Sequence, residues 1–464
     1  MFFSKIRMYD EFMKKQRIRI STTHIILLSF LITILAGALL LSLPISSADG
    51  TATAFLDALF TATTSTCVTG LVVAPTISAW SFWGQLVILL LIQIGGLGII
   101  TIMSGIMVLF HKKIGINDRL LLQDAFNLNS LSGLVRFIKK VIKGTFIVEG
   151  VGALLYMLVF VPQFGLKGIW ISIFTAVSAF CNAGIDVIAE NSLCNYATNP
   201  IINIVTCLLI ILGGIGFIVW WDVLRVLKQP RPKRRHLFRH LSLHSKIAIT
   251  ATLVLIVVGA LFIMLFEYNN PLTLKEYSFF DKLQISIFQS ITTRTAGFAT
   301  IAQENLTDSS AILCLLLMFI GGSPVGTAGG VKTVTFVVII SSAVACVRNQ
   351  SDTNIFGRNI TKAAISKALT VVFVSFTIVF ISTVLLSLVC DASLLDILYE
   401  TVSATATVGL SRNLTFSLNS LAKLVIIATM YLGRVGPISL AIAFNFKKQN
   451  PDLIKEPTEE ISVG

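Results

Sequence analysis

The chain has 464 residues, of which 55% are apolar and 13% charged, and its formal net charge is +13. Soluble domains carry about 25% charged residues, so this composition, with a mean hydropathy of +0.86, excludes an ordinary soluble protein and indicates an integral membrane one. The basic excess is not spread evenly: 28 of the 36 lysines and arginines fall in the N-terminus, residues 111–143, 222–246 and 348–367, and the tail after Ala443.

Residues 1–24 read as a cytoplasmic N-terminus. The apolar run Ile25–Leu43 that follows is too long for a signal h-region and lacks a small-residue cleavage site; it reads as the first span. Crossing a bilayer takes about 20 helical residues. A first repeat, 25–110, then breaks at Pro44 and Asp49-Gly50, offers a short helix Ala54–Thr64, and returns over Trp83–Phe110. The second repeat, 111–221 with its cytoplasmic lead-in, predicts spans Val141–Val161 and Ile201–Trp221 around a short helix Gly168–Phe180. The third, 222–347 with a basic lead-in, predicts Lys246–Phe266 and Ser310–Val347 around Phe280–Thr292. The fourth, 348–446, predicts Ile365–Leu388 and Leu421–Phe446 around Leu394–Thr405. Residues 447–464 form a cytoplasmic tail. The expected fold class is all-α integral membrane, with eight spans and four half-way segments.

After each short helix comes the same punctuation. Phe60 to Gly70, Phe174 to Gly184, Phe288 to Gly297 and Tyr399 to Gly409 each run from an aromatic residue through small and hydroxyl residues to a glycine. The glycines lie 114, 113 and 112 residues apart, a regularity that means four copies of one unit. The third copy is one residue shorter and carries Arg294. The basic runs lie on the side opposite these motifs, whereas twelve of the 23 acids, including Asp49, Asp186, Glu190, Glu267, Glu304, Asp308 and Asp391, lie with them. This positive-inside pattern places both termini in the cytoplasm and the motifs outside. It also assigns the basic runs, Arg231–Arg235 among them, to topology and lipid headgroups rather than to nucleic acid. The seven cysteines make no metal or redox spacing, and no disulfide is expected.

A dehydrated cation needs oxygen ligands, which backbone carbonyls can supply. The glycines relieve backbone strain, and the residues before them (Cys67–Thr69, Cys181–Ala183, Arg294–Ala296 and Ala406–Val408) would present carbonyls. Each short helix would aim its partly negative C-terminal end at the cation, and the acids would concentrate cations at the mouth.

The return span of the third repeat is anomalous. Ser310–Cys346 would be about 55 Å long as one helix, against about 30 Å of hydrocarbon. Its middle, Gly321–Thr333, holds five glycines and a proline and cannot remain helical. Either it is a break inside the membrane, tolerated where it lines a cavity or is buried in protein, or it is a cytoplasmic loop; the even span count favours the break. Arg434 falls mid-span, where a charge costs about 2.5–3.5 kcal/mol on insertion scales. It must find carbonyl partners or pair with Glu149, the mid-span acid. Glu149 itself is expected to hold backbone or hydroxyl partners. Lys332, at the end of the break, could also be a snorkelling lysine.

Six segments, Thr66–Leu71, Ser178–Gly184, Thr292–Phe298, Gly321–Thr333, Ser403–Leu410 and Tyr431–Pro437, together resemble the Trk/Ktr/HKT superfamily of potassium transporters. Within it they resemble the KtrB-like membrane subunits of bacterial Ktr potassium uptake systems. The start of the chain directly at the first repeat fits that branch. The resemblance implies four helix–pore loop–helix repeats around a pseudo-fourfold pore in the bacterial plasma membrane. It implies a potassium filter at Val68, Thr69, Gly70, Asn182, Ala183, Gly184, Thr295, Ala296, Gly297, Thr407, Val408 and Gly409. It implies a gate at Gly321, Gly322, Ser323, Pro324, Gly326, Thr327, Gly329, Gly330 and Lys332, closed with the help of Arg434. Val325 is bulkier than the family loop usually carries. Some plant relatives with serine at the first filter position prefer sodium; Gly70 argues for potassium, with a sodium-conducting relative as the competing reading. A homodimer and a cytosolic nucleotide-binding regulatory subunit, a KtrA-like ring, are implied as partners. In keeping with this the chain has no GxxxxGK[ST] phosphate loop. Potassium is the implied substrate, sodium a candidate activator, and no cofactor is expected.

Two other classes fit less well. Secondary transporters with broken helices often use inverted repeats, whereas these repeats are parallel, every motif falling on the acidic side. An intramembrane enzyme is disfavoured because no nucleophile–base pair or metal cluster falls within the spans.

Overall fold

The computed structural model describes residues 22–109, 133–229, 237–436 and 459. Readings placed on the other residues, the cytoplasmic N-terminus and tail included, lie outside the described residues.

Each repeat opens on a long helix: α1 (Thr22–Leu41), α6 (Leu134–Phe164), α11 (Leu243–Glu267) and α15 (Lys362–Ser387). These sequences are apolar around most of the helix, and their outer faces expose large side chains such as Leu31, Leu39, Leu261, Leu265, Phe373 and Phe380. That much exposed apolar surface is a lipid-facing surface. The ends follow local chemistry. Ser242 and Thr361 cap α11 and α15 by accepting from the N–H groups of Ser245 and Ala364, both at 3.3 Å, and α1 stops before Pro44.

A short helix follows in every repeat: α2 (Phe55–Cys67), α7 (Lys167–Cys181), α12 (Phe279–Thr292) and α16 (Leu394–Ala406). All four are buried along most of their length, hydroxyl residues included. Two four-residue helices, α3 (Thr76–Ala79) and α10 (Leu237–His240), and a two-residue antiparallel ladder, β1 (Asn354–Ile355) with β2 (Arg358–Asn359), lie in connections.

The return helices depart from expectation. The sequence predicted one broken return span; the structure interrupts three and ends the fourth at a corresponding glycine. α4 (Phe82–Leu97) and α5 (Ile99–Leu109) meet at Gly98, φ +85°. α8 (Pro200–Gly214) and α9 (Phe217–Leu227) meet near Gly216, φ +93°, and are bent by 97°. α13 (Asp308–Phe319) and α14 (Thr333–Val347) flank the predicted break, and α17 (Ser420–Val435) ends at Gly436, φ +91°. By length and apolar composition, four described helices can cross a membrane alone, or five if the bent pair counts as one. The sequence instead predicted eight spans.

The packing order is regular. The return helix of each repeat lies against the short helix of the next: α4 on α7, α8 on α12, α13 on α16, and α17 back on α2. At the end of α11, Glu267 is fully buried and accepts hydrogen bonds from Asn270 Nδ2 (2.7 Å), Thr273 Oγ1 (2.6 Å) and the N–H and hydroxyl of Thr307 (2.9 and 2.7 Å), joining α11 to the start of α13. Glu267→Ala strands these donors, and hydrogen bonds to charged groups contribute about 1.5–3 kcal/mol each. We expect a fall of several degrees in the thermal midpoint of the detergent-solubilised protein, partly restored in Glu267→Gln.

Candidate functional site

The four short helices deliver their glycine-ended segments to one place. α2, α7 and α16 end on residues in left-handed backbone: Val68 (φ 56°), Asn182 (φ 59°) and Thr407 (φ 53°). In the third repeat the left-handed residue is Thr295 (φ 70°). Two residues later come Gly70, Gly184, Gly297 and Gly409, with φ of 103°, 65°, 83° and 95°. Each segment therefore has two positive-φ positions, and one of them is occupied by a residue that reaches that region at a cost.

Their N–H groups turn back onto the short helices. Thr69, Ala183 and Val408 donate to the carbonyls of Thr64, Ser178 and Ser403 at 2.8–2.9 Å. Gly70 and Gly409 donate to the hydroxyls of Thr64 (2.9 Å) and Ser403 (3.0 Å). In the shorter third segment Ala296 reaches Thr292 O instead, at 2.9 Å, and the Thr292 hydroxyl donates to Phe298 O (2.6 Å). Among the described residues, no carbonyl of Val68–Gly70, Asn182–Gly184, Thr295–Gly297 or Thr407–Gly409 accepts a hydrogen bond. With most backbone donors consumed and the backbone acceptors free, this surface is suited to a cation.

The segments close on one another. A Cβ on Gly70 would lie 2.5 Å from Ala183 O, and one on Gly184 would lie 2.6 Å from Ala296 O. One on Gly297 would overlap Val408 O, and one on Gly409 would overlap Thr69 O. The contacts run one to two, two to three, three to four and four to one. All four glycines line one cavity of about 240 Å³, together with Asp186, Glu190 and Glu304 and, among the described residues, with no lysine or arginine. Of the seven acids named above among the twelve on the motif side, these three line it. Asp49, Asp308 and Asp391 do not, and Glu267 is spent on the contacts described above.

Gly321–Thr333 lies against the other side of these segments. Its neck is a short parallel bridge, Ile320 with Val331, closed by Gly321 N to Val331 O (3.0 Å) and Val331 N to Phe319 O (3.1 Å). Ser323 N and Thr327 N donate to Gly214 O (2.8 Å) and Gly213 O (3.1 Å) at the break of α8, and Val325 O accepts from Phe217 N (2.9 Å). Val325, the bulkier residue, is held at φ 61°. The Thr327 hydroxyl reaches Phe180 O (3.0 Å), Gly329 N reaches Thr295 Oγ1 (3.2 Å), and Gly329 abuts Thr407. The loop thus touches three of the four segments. Lys332 does not extend away: its Nζ turns back to Ala328 O (2.5 Å) and Gly329 O (3.4 Å).

Arg434 takes the carbonyl alternative. It donates to Thr327 O (2.7 Å) in the loop and to Gly95 O (2.5 Å) at the break of α4. Glu149 is elsewhere, and its partners correct the expectation of backbone or hydroxyl groups. It accepts from Gln93 Nε2 (3.3 Å) and the Cys181 thiol (3.8 Å).

Sequence reasoning missed a second recurring element. Gly95-Gly96-Leu97-Gly98, Gly213-Gly214-Ile215-Gly216, Gly321-Gly322 and Gly433-Arg434-Val435-Gly436 occupy corresponding places. Gly95, Gly213 and Gly433 lie directly on the carbonyls of Thr66, Phe180 and Thr405, so the return helices reach the ends of the short helices only where there is no side chain. Gly433→Val places atoms on Thr405 O, and overpacking of this kind costs about 1–3 kcal/mol or more. The expected result is a lower yield of monodisperse protein and a lower thermal midpoint by fluorescence-detected chromatography.

The chain matches the family described as TrkH, cation transport protein, over residues 2–455. It is 39% identical over 448 residues to the Ktr system potassium uptake protein B of Bacillus subtilis, covering 96% of this chain and 98% of that one. It is 38% identical over 457 residues to the potassium/sodium uptake protein NtpJ of Enterococcus hirae, covering 97% and 99%. Its fold is similar to the crystal structure of the potassium transporter TrkH from Vibrio parahaemolyticus, with a TM-score of 0.74, 16% sequence identity, and coverage of 93% of this chain and 86% of that one.

Proposed function

The chain belongs to the TrkH family of cation transport proteins, and from that premise we propose that it is the potassium-translocating membrane subunit of a Ktr-type uptake system. One observation carries this reading: four glycine-ended segments, each pressed on the carbonyl of the next, offer unpaired carbonyls at the floor of an acidic cavity. Ions pass down their electrochemical gradient. Three carboxylates concentrate cations in the cavity, and the carbonyls of Val68–Gly70, Asn182–Gly184, Thr295–Gly297 and Thr407–Gly409 replace hydration water.

The architecture we propose around that path is eight crossings in four pseudo-fourfold repeats, the broken return helices each counting as one crossing. The cyclic packing of return helices on short helices supports it. The cavity faces outward, and both termini lie in the cytoplasm of a bacterial cell. Residues 321–333 block the path from within and form the gate. Their hydrogen bonds to the α8 break, to the segment ends and to Arg434 support that role. Opening is assigned to a cytosolic nucleotide-binding regulatory subunit acting on a homodimer of this chain.

Selectivity for potassium over sodium is read from glycine at all four closing positions. The potassium/sodium naming of the Enterococcus relative makes the sodium comparison the decisive arm of the test. Expression in a strain lacking potassium uptake should restore growth at low potassium, more strongly with the regulatory subunit. Purified protein in liposomes should carry rubidium well ahead of sodium. Rescue of sodium uptake without potassium uptake contradicts the assignment.

A further inference from the structure

Arg294 is the one basic residue within the four glycine-ended segments, and the ion path described above gives it no task. It is buried, and among the described residues no carboxylate pairs with it. Its guanidinium makes a single hydrogen bond, from Nη2 to Gly321 O at 3.0 Å, while its Nε has no partner. Beside it is a cavity of about 20 Å³ that Thr252 and Gly322 also line. Gly321 is the first residue of the intramembrane loop. The next residue along, Thr295, accepts through its hydroxyl from Gly329 N, at 3.2 Å, near the loop's other end. Gly321 and Gly329–Val331 are packed together as the loop's neck. Consecutive residues of the third segment therefore hold both strands of that neck.

We infer that Arg294 is the latch of the intramembrane loop, a positioning residue that ties the third segment to the neck and favours the closed arrangement. The inference rests on reading 321–333 as the gate. The physical reason is the guanidinium's dependence on one acceptor. If the neck moves, Arg294 loses that acceptor while remaining in a low-dielectric interior, where an unpaired charge is strongly disfavoured. Arg434 differs in this respect. It holds Thr327 O in the loop but also Gly95 O in α4, so it keeps a partner when the loop leaves. Although the third segment is one residue shorter, its left-handed residue Thr295 still lies two before the glycine, so Arg294 takes the place held by Cys67, Cys181 and Ala406 in the other segments.

The test uses the full-length protein in liposomes, without its regulatory subunit, and reads rubidium flux per monodisperse protein. Arg294→Met, similar in length and uncharged, should raise this basal flux about tenfold, the scale of losing one charge-assisted hydrogen bond. Arg294→Lys, which keeps the charge and can still donate to Gly321 O, should raise it less. In a protein lacking residues 323–328, already open, Arg294→Met should add nothing. Unchanged basal flux in folded Arg294→Met overturns the latch, as does an equal rise in the loop-shortened protein, which would put the effect in the filter. If Arg294→Met does not fold, Arg294→Lys decides: a severalfold rise supports the latch and wild-type flux overturns it. If shortening the loop leaves flux at the closed level, the gate reading itself fails, and the latch with it.

Discussion

Replacing Gly70 with serine lowers the potassium-to-sodium flux ratio at least tenfold while the protein remains folded. The residue has φ +103°, which side-chain-bearing residues rarely adopt, and its Cβ would lie 2.5 Å from Ala183 O and 3.1 Å from the Cα of Gly409. Forcing a side chain into such a conformation costs about 1–3 kcal/mol. The least costly relief is to displace the Ala183 carbonyl, because the short helices behind it are buried and fixed. A displaced carbonyl lengthens one contact to a dehydrated ion, and each 1.4 kcal/mol of differential binding is about tenfold. Gly409→Ser should act in the same direction through Thr69 O. Flux of rubidium and sodium measured in parallel from one liposome preparation checks both, and an unchanged ratio would remove these glycines from the ion path.

Removing residues 323–328 raises regulator-free rubidium flux about tenfold or more. The deletion keeps the neck, since Gly321 already lies against Gly329 and Gly330 and its N–H bonds Val331 O. What it removes is the blocking part and its anchors: Ser323 N to Gly214 O, Thr327 N to Gly213 O, Phe217 N to Val325 O, Thr327 Oγ1 to Phe180 O, and the Arg434 contact to Thr327 O. These five hydrogen bonds, at about 0.5–1.5 kcal/mol each for neutral groups and more for the charged one, hold the closed loop. Flux that falls or stays constant in a monodisperse protein would show that the loop supports the path rather than closing it.

Much of this arrangement is legible before any coordinates. The four short helices fall close to their expected bounds because an apolar run interrupted by hydroxyls and ended by glycine leaves few alternatives. Leu394–Thr405 was expected and Leu394–Ala406 is found. The break at Gly321–Thr333 was legible because a proline and five glycines cannot be helical. The other interruptions were not. Gly98 and Gly216 each close a group of three glycines in an apolar run that holds no proline, and a glycine costs a helix only about 1 kcal/mol, so the runs read as continuous. What breaks the helices there is tertiary: α4 and α8 approach the ends of the short helices through Gly95 and Gly213 and then turn. The left-handed backbone of Val68 and Thr407 was hidden for a similar reason. Valine and threonine disfavour it intrinsically, and only the closure of the segments on one another imposes it.

Arg434 and Glu149 show the limit of reading charge from hydropathy alone. Both were identified as buried mid-span charges, and a pair between them was one open reading. The structure separates them, giving the arginine carbonyls from two different repeats and the carboxylate an amide and a thiol. Sequence spacing along two helices from different repeats fixes the depth of each charge but not which face it takes.

Crystals grown with thallium in place of potassium test the central claim most directly. Anomalous scattering should show thallium within the ring bounded by the carbonyls of Val68–Gly70, Asn182–Gly184, Thr295–Gly297 and Thr407–Gly409, weakening as potassium is added back and much less as sodium is. Thallium held only among Asp186, Glu190 and Glu304, with none inside the ring, would contradict it.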